Sequence, residues 1–120
     1  VKLFFDGGYS PAAGMATALV VGGRAEIHRD LGPGGSMAAE WLALIAAMRA
    51  AHALCLTDAL LLGDAAAVIA QANGIAKCPP DCARYLETFG ALPRPPGRVR
   101  LRWIKRTQNL AGIALARTPI

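Results

Sequence analysis

Three carboxylates stand where chemistry could be done. Asp6 follows the apolar run Val1-Lys2-Leu3-Phe4-Phe5, and Asp64 follows Leu60-Leu61-Leu62-Gly63. Each therefore ends a predicted strand, and in open α/β sheets the working groups gather at the carboxyl ends of strands. Glu40 precedes Trp41 on a predicted helix and borders the stripe which that helix buries. A carboxylate there is costly to desolvate without a proton, a positive partner or a metal. Three acids from separate elements can converge on Mg²⁺, whose oxygen-rich sites combine carboxylates, water and substrate phosphate. Read singly, an Asp after a strand is most often a turn or helix-cap residue, and the competing reading of Glu40 is a solvated residue at a helix margin.

The elements that must position these acids follow from the pattern. Val1–Asp6 reads as a strand that stops at Gly7-Gly8. Met15–Val21 and Arg24–Leu31 form a hairpin about Gly22-Gly23. After Gly32-Pro33-Gly34-Gly35, Ser36 is expected to cap a helix with Met37, Trp41, Leu44, Ile45 and Met48 at steps of three and four. Leu60–Gly63 reads as a strand buried on both faces, followed by a helix over 65–72 that Asn73-Gly74 stops. A third helix is expected from Asp81 to about Leu92, a strand over Val99–Ile104 and a last helix over Leu110–Arg117. The predicted fold is α/β, a five-stranded mixed sheet flanked by helices, with three antiparallel strands first and then alternating helices and strands.

Composition bounds the rest. At 120 residues, with 54% hydrophobic and 18% charged residues, the chain is expected to form one domain over 1–120. Thirteen Lys+Arg against eight Asp+Glu give a net charge of +5, which favours an anionic partner, nucleic acid first. Between Arg94 and Arg106 lie Arg98, Arg100, Arg102 and Lys105 but no acid, and Trp103 is interleaved. Alternation sets Arg100 and Arg102 on one strand face for phosphate contact, opposite Val99, Leu101 and Trp103. The competing reading of Trp103 is a buried core residue beside a solvated edge. Cys55, Cys78 and Cys82 are too sparse for a disulfide framework and suit a reducing compartment, so a cytoplasmic location is expected. The Cys78–Cys82 spacing is weak as a zinc signal, since no second pair exists. No apolar run reaches the roughly 18 residues of a membrane span. The absence of an initiator Met before Val1 is expected to reflect trimming of the start. No membrane or obligate protein partner is expected, and a monomer is.

The sequence resembles the type 1 ribonuclease H family over LFFDGGYS, AAEWLAL, GDAAAVIAQANG and RTQNLAGIALA. Such proteins carry an Asp-Gly after strand one, a Glu before an aromatic residue on helix one and an Asp after strand four, and Asp6, Glu40 and Asp64 match these positions. The resemblance implies the ribonuclease H-like fold and endonucleolytic hydrolysis of the RNA strand in RNA–DNA hybrids. It further implies Asp6, Glu40 and Asp64 as catalytic and metal-binding residues, with two Mg²⁺ (or Mn²⁺) ions bound together with substrate. Nucleic-acid contacts are expected from Gly7, Gly8, Ser36, Arg100, Arg102, Lys105, Arg106 and Asn109. The family's closing Arg-x-x-Asn-x-x-Ala-Asp-x-Leu-Ala is matched at Arg106, Asn109, Leu115 and Ala116, but Ile113 stands where the fourth acid belongs. An apolar side chain cannot hold a hard cation, so reduced activity is expected. The alternatives are a catalytically silent nucleic-acid-binding module and a related nuclease acting on another nucleic-acid structure.

Overall fold

Strand β1 (Lys2–Ser10) runs through the middle of the molecule, because its alternating side chains find apolar partners on both faces. The computed structural model describes residues 1–117. β1 pairs antiparallel with β2 (Gly14–Val21), which pairs antiparallel with β3 (Arg24–His28). Gly22 and Gly23, at φ +57° and +76°, make the tight turn between them. On its other side β1 pairs parallel with β4 (Ala59–Gly63), and β4 with β5 (Val99–Trp103), so the sheet order is β3-β2-β1-β4-β5. The expected mixed sheet is present with the expected element order.

Alternation along β1 divides the core in two. Leu3 and Phe5 face α1 (Ser36–Ala53), α2 (Ala66–Ala72) and α3 (Ala83–Ala91). Trp41 anchors this larger core, fully buried, with its indole N–H donating to Gln71 Oε1 at 3.0 Å and its ring edge-on to Phe89 at 6.1 Å. Burial of such a ring requires a partner for the N–H, and Gln71 supplies it. On the opposite face Phe4 packs with Ala18, Val20 and Ala111 beneath α4 (Leu110–Arg117). Asp6 shares the face of Phe4, two residues further along the strand.

Four local expectations are corrected. β1 does not stop at Gly7-Gly8 but continues to Ser10, paired with β2 throughout. Gly7 serves packing rather than chain reversal: a Cβ there would collide with the backbone of Ala39 and Glu40. Its absence lets the first turn of α1 lie directly on the strand. Ser36 does not cap α1. Gly35 occupies the N-cap in extended backbone with no side-chain bond, and Ser36 is the first helical residue. Strand β3 ends at His28 rather than Leu31. Trp103 is not buried with Val99 and Leu101, because it lies at the end of the edge strand and keeps 52% of its surface exposed.

Candidate active site

β1 and β4 pair in register only as far as Phe4 and Leu62. Beyond that point the strands part, and Asp6 and Asp64 occupy the opening. The two carboxyls lie within hydrogen-bonding reach of one another. Glu40 is brought to the same end of the sheet by the close approach of α1 to Gly7. Burial, the charge of Asp64 and a hydrogen bond to it, and then the charge of Glu40 push the Asp6 carboxyl up from 3.8 to about 7, with Arg106 opposing. Burial and the charge of Asp64 raise the Glu40 carboxyl as well. These three expected residues therefore do feel one another across the site.

Asp64 is the best-held of the three. Arg106 Nε donates to its Oδ2 at 3.2 Å, and Asn109 Nδ2 to its Oδ1 at 3.0 Å. The Asp64 side chain is only 10% exposed, whereas that of Arg106 is 89% exposed. The same Asn109 amide donates to the Phe5 carbonyl at 3.0 Å, and its Oδ1 accepts from the Ala111 N–H at 3.1 Å. One fully buried side chain thus caps α4 and ties it to the ends of β1 and β4. Asn109 was expected among the nucleic-acid contacts; burial excludes that contact and makes it a positioning residue. Its capping role is signalled in sequence by an Asn placed immediately before an apolar helix.

A cleft of about 480 Å³ opens beside the acids, lined by Asp6, Gly7, Asp64, Arg106 and Thr107 and, on the α4 side, by Gly112, Ile113, Leu115 and Ala116. Ile113 therefore stands on the wall facing Asp6. Gly112 keeps that wall close, since a Cβ on it would lie 3.4 Å from Asp6 Oδ2. Gly7 lines the cleft, Gly8 lies against Leu115, and Ser36 is exposed at the start of α1. Arg102 and Lys105 are exposed and Arg100 is half-buried on β5, beside the cleft rather than in it. Trp103 reaches back, its indole N–H donating to the Asp64 carbonyl at 3.3 Å.

Among the described residues, no three His, Cys, Asp or Glu side chains stand close enough together to make a metal cage unaided. The donor chemistry nevertheless fits a hard divalent cation. Asp6 and Asp64 offer only oxygen, repel one another when ionised, and face open space where water and phosphate could complete an oxygen shell. The Cys78–Cys82 pair and the two histidines form no such group, and the cysteines are free. Among the described residues no helix is long and apolar enough to cross a membrane.

Residues 12–118 match the model of the family described as reverse transcriptase-like. No curated protein matches the chain. Among solved structures, it is similar to the N-terminal RNase H domain of a Mycobacterium tuberculosis protein, solved fused to maltose-binding protein. That match has 23% identity and a TM-score of 0.75 over 97% of this chain and 95% of that one. RNase H1 of the halophilic archaeon Halobacterium salinarum is 26% identical, with a TM-score of 0.74 over 96% and 92% of the two chains. LC11-RNase H1, solved in complex with an RNA/DNA hybrid, is 16% identical with a TM-score of 0.76, covering 95% and 91%. With the five-stranded order and the matched span together, the chain belongs to the reverse transcriptase-like family of the ribonuclease H-like superfamily.

Proposed function

We propose that this protein is a divalent-metal-dependent endonuclease that hydrolyses the RNA strand of RNA–DNA hybrids, at a rate lowered by Ile113. One observation carries the reading. Asp6 and Asp64 share a cleft with Glu40 beside them, and burial together with the neighbouring carboxylates raises the Asp6 carboxyl to about 7. Such a cluster favours either a bound proton or a bound cation. Divalent cations, when bound, supply positive charge and a more acidic water at a scissile phosphate. Asp6, Glu40 and Asp64 would hold them. Arg106 and Asn109 keep Asp64 aimed at the cleft, so that its oxygens need little reorganisation when a ligand arrives. The net charge of +5 suits a polyanionic substrate. The hybrid in the LC11-RNase H1 structure supports that substrate class.

Ile113 favours a second reading, a silent hybrid-binding module. It gives the wall opposite Asp6 no oxygen ligand, so retention of a cation rests on the other wall and on the substrate. Free cysteines suit action in a reducing cytoplasm, and a monomeric single domain suffices for the reading.

The test is cleavage of a labelled RNA–DNA hybrid in Mg²⁺ and separately in Mn²⁺, with Asp64→Asn as control. Cutting confined to the RNA strand, and reduced on the order of 10²–10³-fold or more in the control, is expected. No cutting by folded protein that still binds the hybrid overturns the enzyme in favour of the silent module.

A further inference from the structure

A shallow groove of about 700 Å³ lies along the outer edge of β5, between that strand and α2. Its lining includes Arg98, Arg100 and Arg102 and no acidic residue. It also includes two large apolar side chains left in the open, Ile75 at 81% exposure and Trp103 at 52%. None of the three arginines has an ion-pair partner among the described residues. Arg100 Nε is buried with no hydrogen-bond partner there. Alternation sets Arg100 and Arg102 on one side of this edge and Trp103 on the other. The rim of the groove thus offers a basic track for phosphates and, across the strand, a platform for bases, the two requirements for holding single-stranded nucleic acid.

A peptide adding itself as a sixth strand is the competing occupant of a sheet edge. The edge itself opposes it. The Ile104 N–H bonds inward to the Gly63 carbonyl, so by alternation Leu101 presents its backbone outward. That outward Leu101 carbonyl already accepts from Asn73 Nδ2 at 3.1 Å. The centre of the ladder is therefore closed to a newcomer. The groove also lies next to the acid cleft, since the Trp103 indole on its lining donates to the carbonyl of Asp64, which lines the cleft.

We propose that the β5 edge groove binds single-stranded nucleic acid, bases stacking on Trp103 and phosphates meeting Arg98, Arg100 and Arg102. A single-stranded extension of a duplex seated at the cleft would run along it. That link to the cleft rests on the nuclease reading, whereas single-strand binding by the groove does not.

The first test needs no variant. Trp41 is fully buried, so the indole open to an incoming base is Trp103. Titration of the whole chain in EDTA with an oligothymidylate of about twelve nucleotides is expected to quench tryptophan emission to saturation, and less so as salt is raised. Anisotropy of the labelled oligonucleotide is expected to give affinities weakened about tenfold by Trp103→Leu and by the paired Arg98→Gln and Arg102→Gln changes. Unquenched emission overturns the proposal. So does unchanged affinity in the arginine variant with an unaltered thermal transition. Hybrid cleavage without quenching would remove the groove and leave the nuclease; quenching without cleavage would do the reverse.

Discussion

The two walls of the cleft are built on different terms. On one side, Asp6, Asp64 and Glu40 project from β1, from the end of β4 and from α1, three elements that also supply the larger core through Phe5, Leu61 and Trp41. On the other, α4 offers Gly112, Ile113, Leu115 and Ala116, a wall without a carboxylate, over a small second core. The acidic wall is tense, since burial and the charge of Asp64 raise the Asp6 and Glu40 carboxyls. The α4 wall is electrically quiet, and one asparagine side chain fastens its near end to both strands. A crowd of like charges can be sustained where the packing beneath it is extensive. A wall that only closes a cleft can hang from few contacts.

Removing the fastening should break this contrast most severely. Asn109→Ala loses hydrogen bonds to the Phe5 carbonyl, Asp64 and the Ala111 N–H, leaving buried polar groups unmatched. A loss of about 3 kcal/mol in urea unfolding is expected, together with faster amide exchange throughout α4. Unchanged exchange there would mean that the wall is held by something else. Gly7→Ala attacks the acidic wall by forcing α1 off β1. It should destabilise by about 2 kcal/mol and should reduce hybrid cleavage beyond what that instability explains, because Glu40 moves with the helix.

Ile113→Asp would make the two walls alike. Cleavage is expected to rise about tenfold in Mg²⁺, while in EDTA the added charge should lower the melting temperature. No gain in a folded variant would show that Ile113 does not limit the reaction. The smallest effect concerns protons. Asp6 has its carboxyl raised in the fold, so the folded state holds a proton that the unfolded chain releases near 3.8. Its stabilising contribution is complete below that pH and is lost as pH rises toward about 7. Melting temperature should therefore fall by roughly 5 °C across that interval, with the slope flattened in Asp6→Asn. Millimolar Mg²⁺ at pH 8 should restore the loss if a cation replaces the proton.

Much of this architecture was legible in residue order. Alternation and turn residues gave β1 to β5 in sequence, and Gly74 at φ +74° does follow the end of α2. Two of the failures share a cause, since each depends on what lies against a residue in space. Gly7 resembles a breaker until Ala39 is seen against it, and Trp103 resembles a core residue until β5 proves to be an edge. The acids themselves were legible from their places at strand ends and beside a helix stripe. Asn109 was visible as part of a motif, but its burial arises only where β1, β4 and α4 meet, and nothing in a linear spacing reveals that meeting.

The Asn109 bond to Phe5 joins positions 104 residues apart. Its order of assembly follows from that separation. The β1–β2–β3 meander closes short loops and can form early, whereas the clamp needs β1 and β4 already side by side before α4 has anything to grip. Docking of α4 is then expected late on the folding path, so that Asn109→Ala should speed unfolding far more than it slows folding. On that order the cleft would be completed only when the rest of the sheet is already in place.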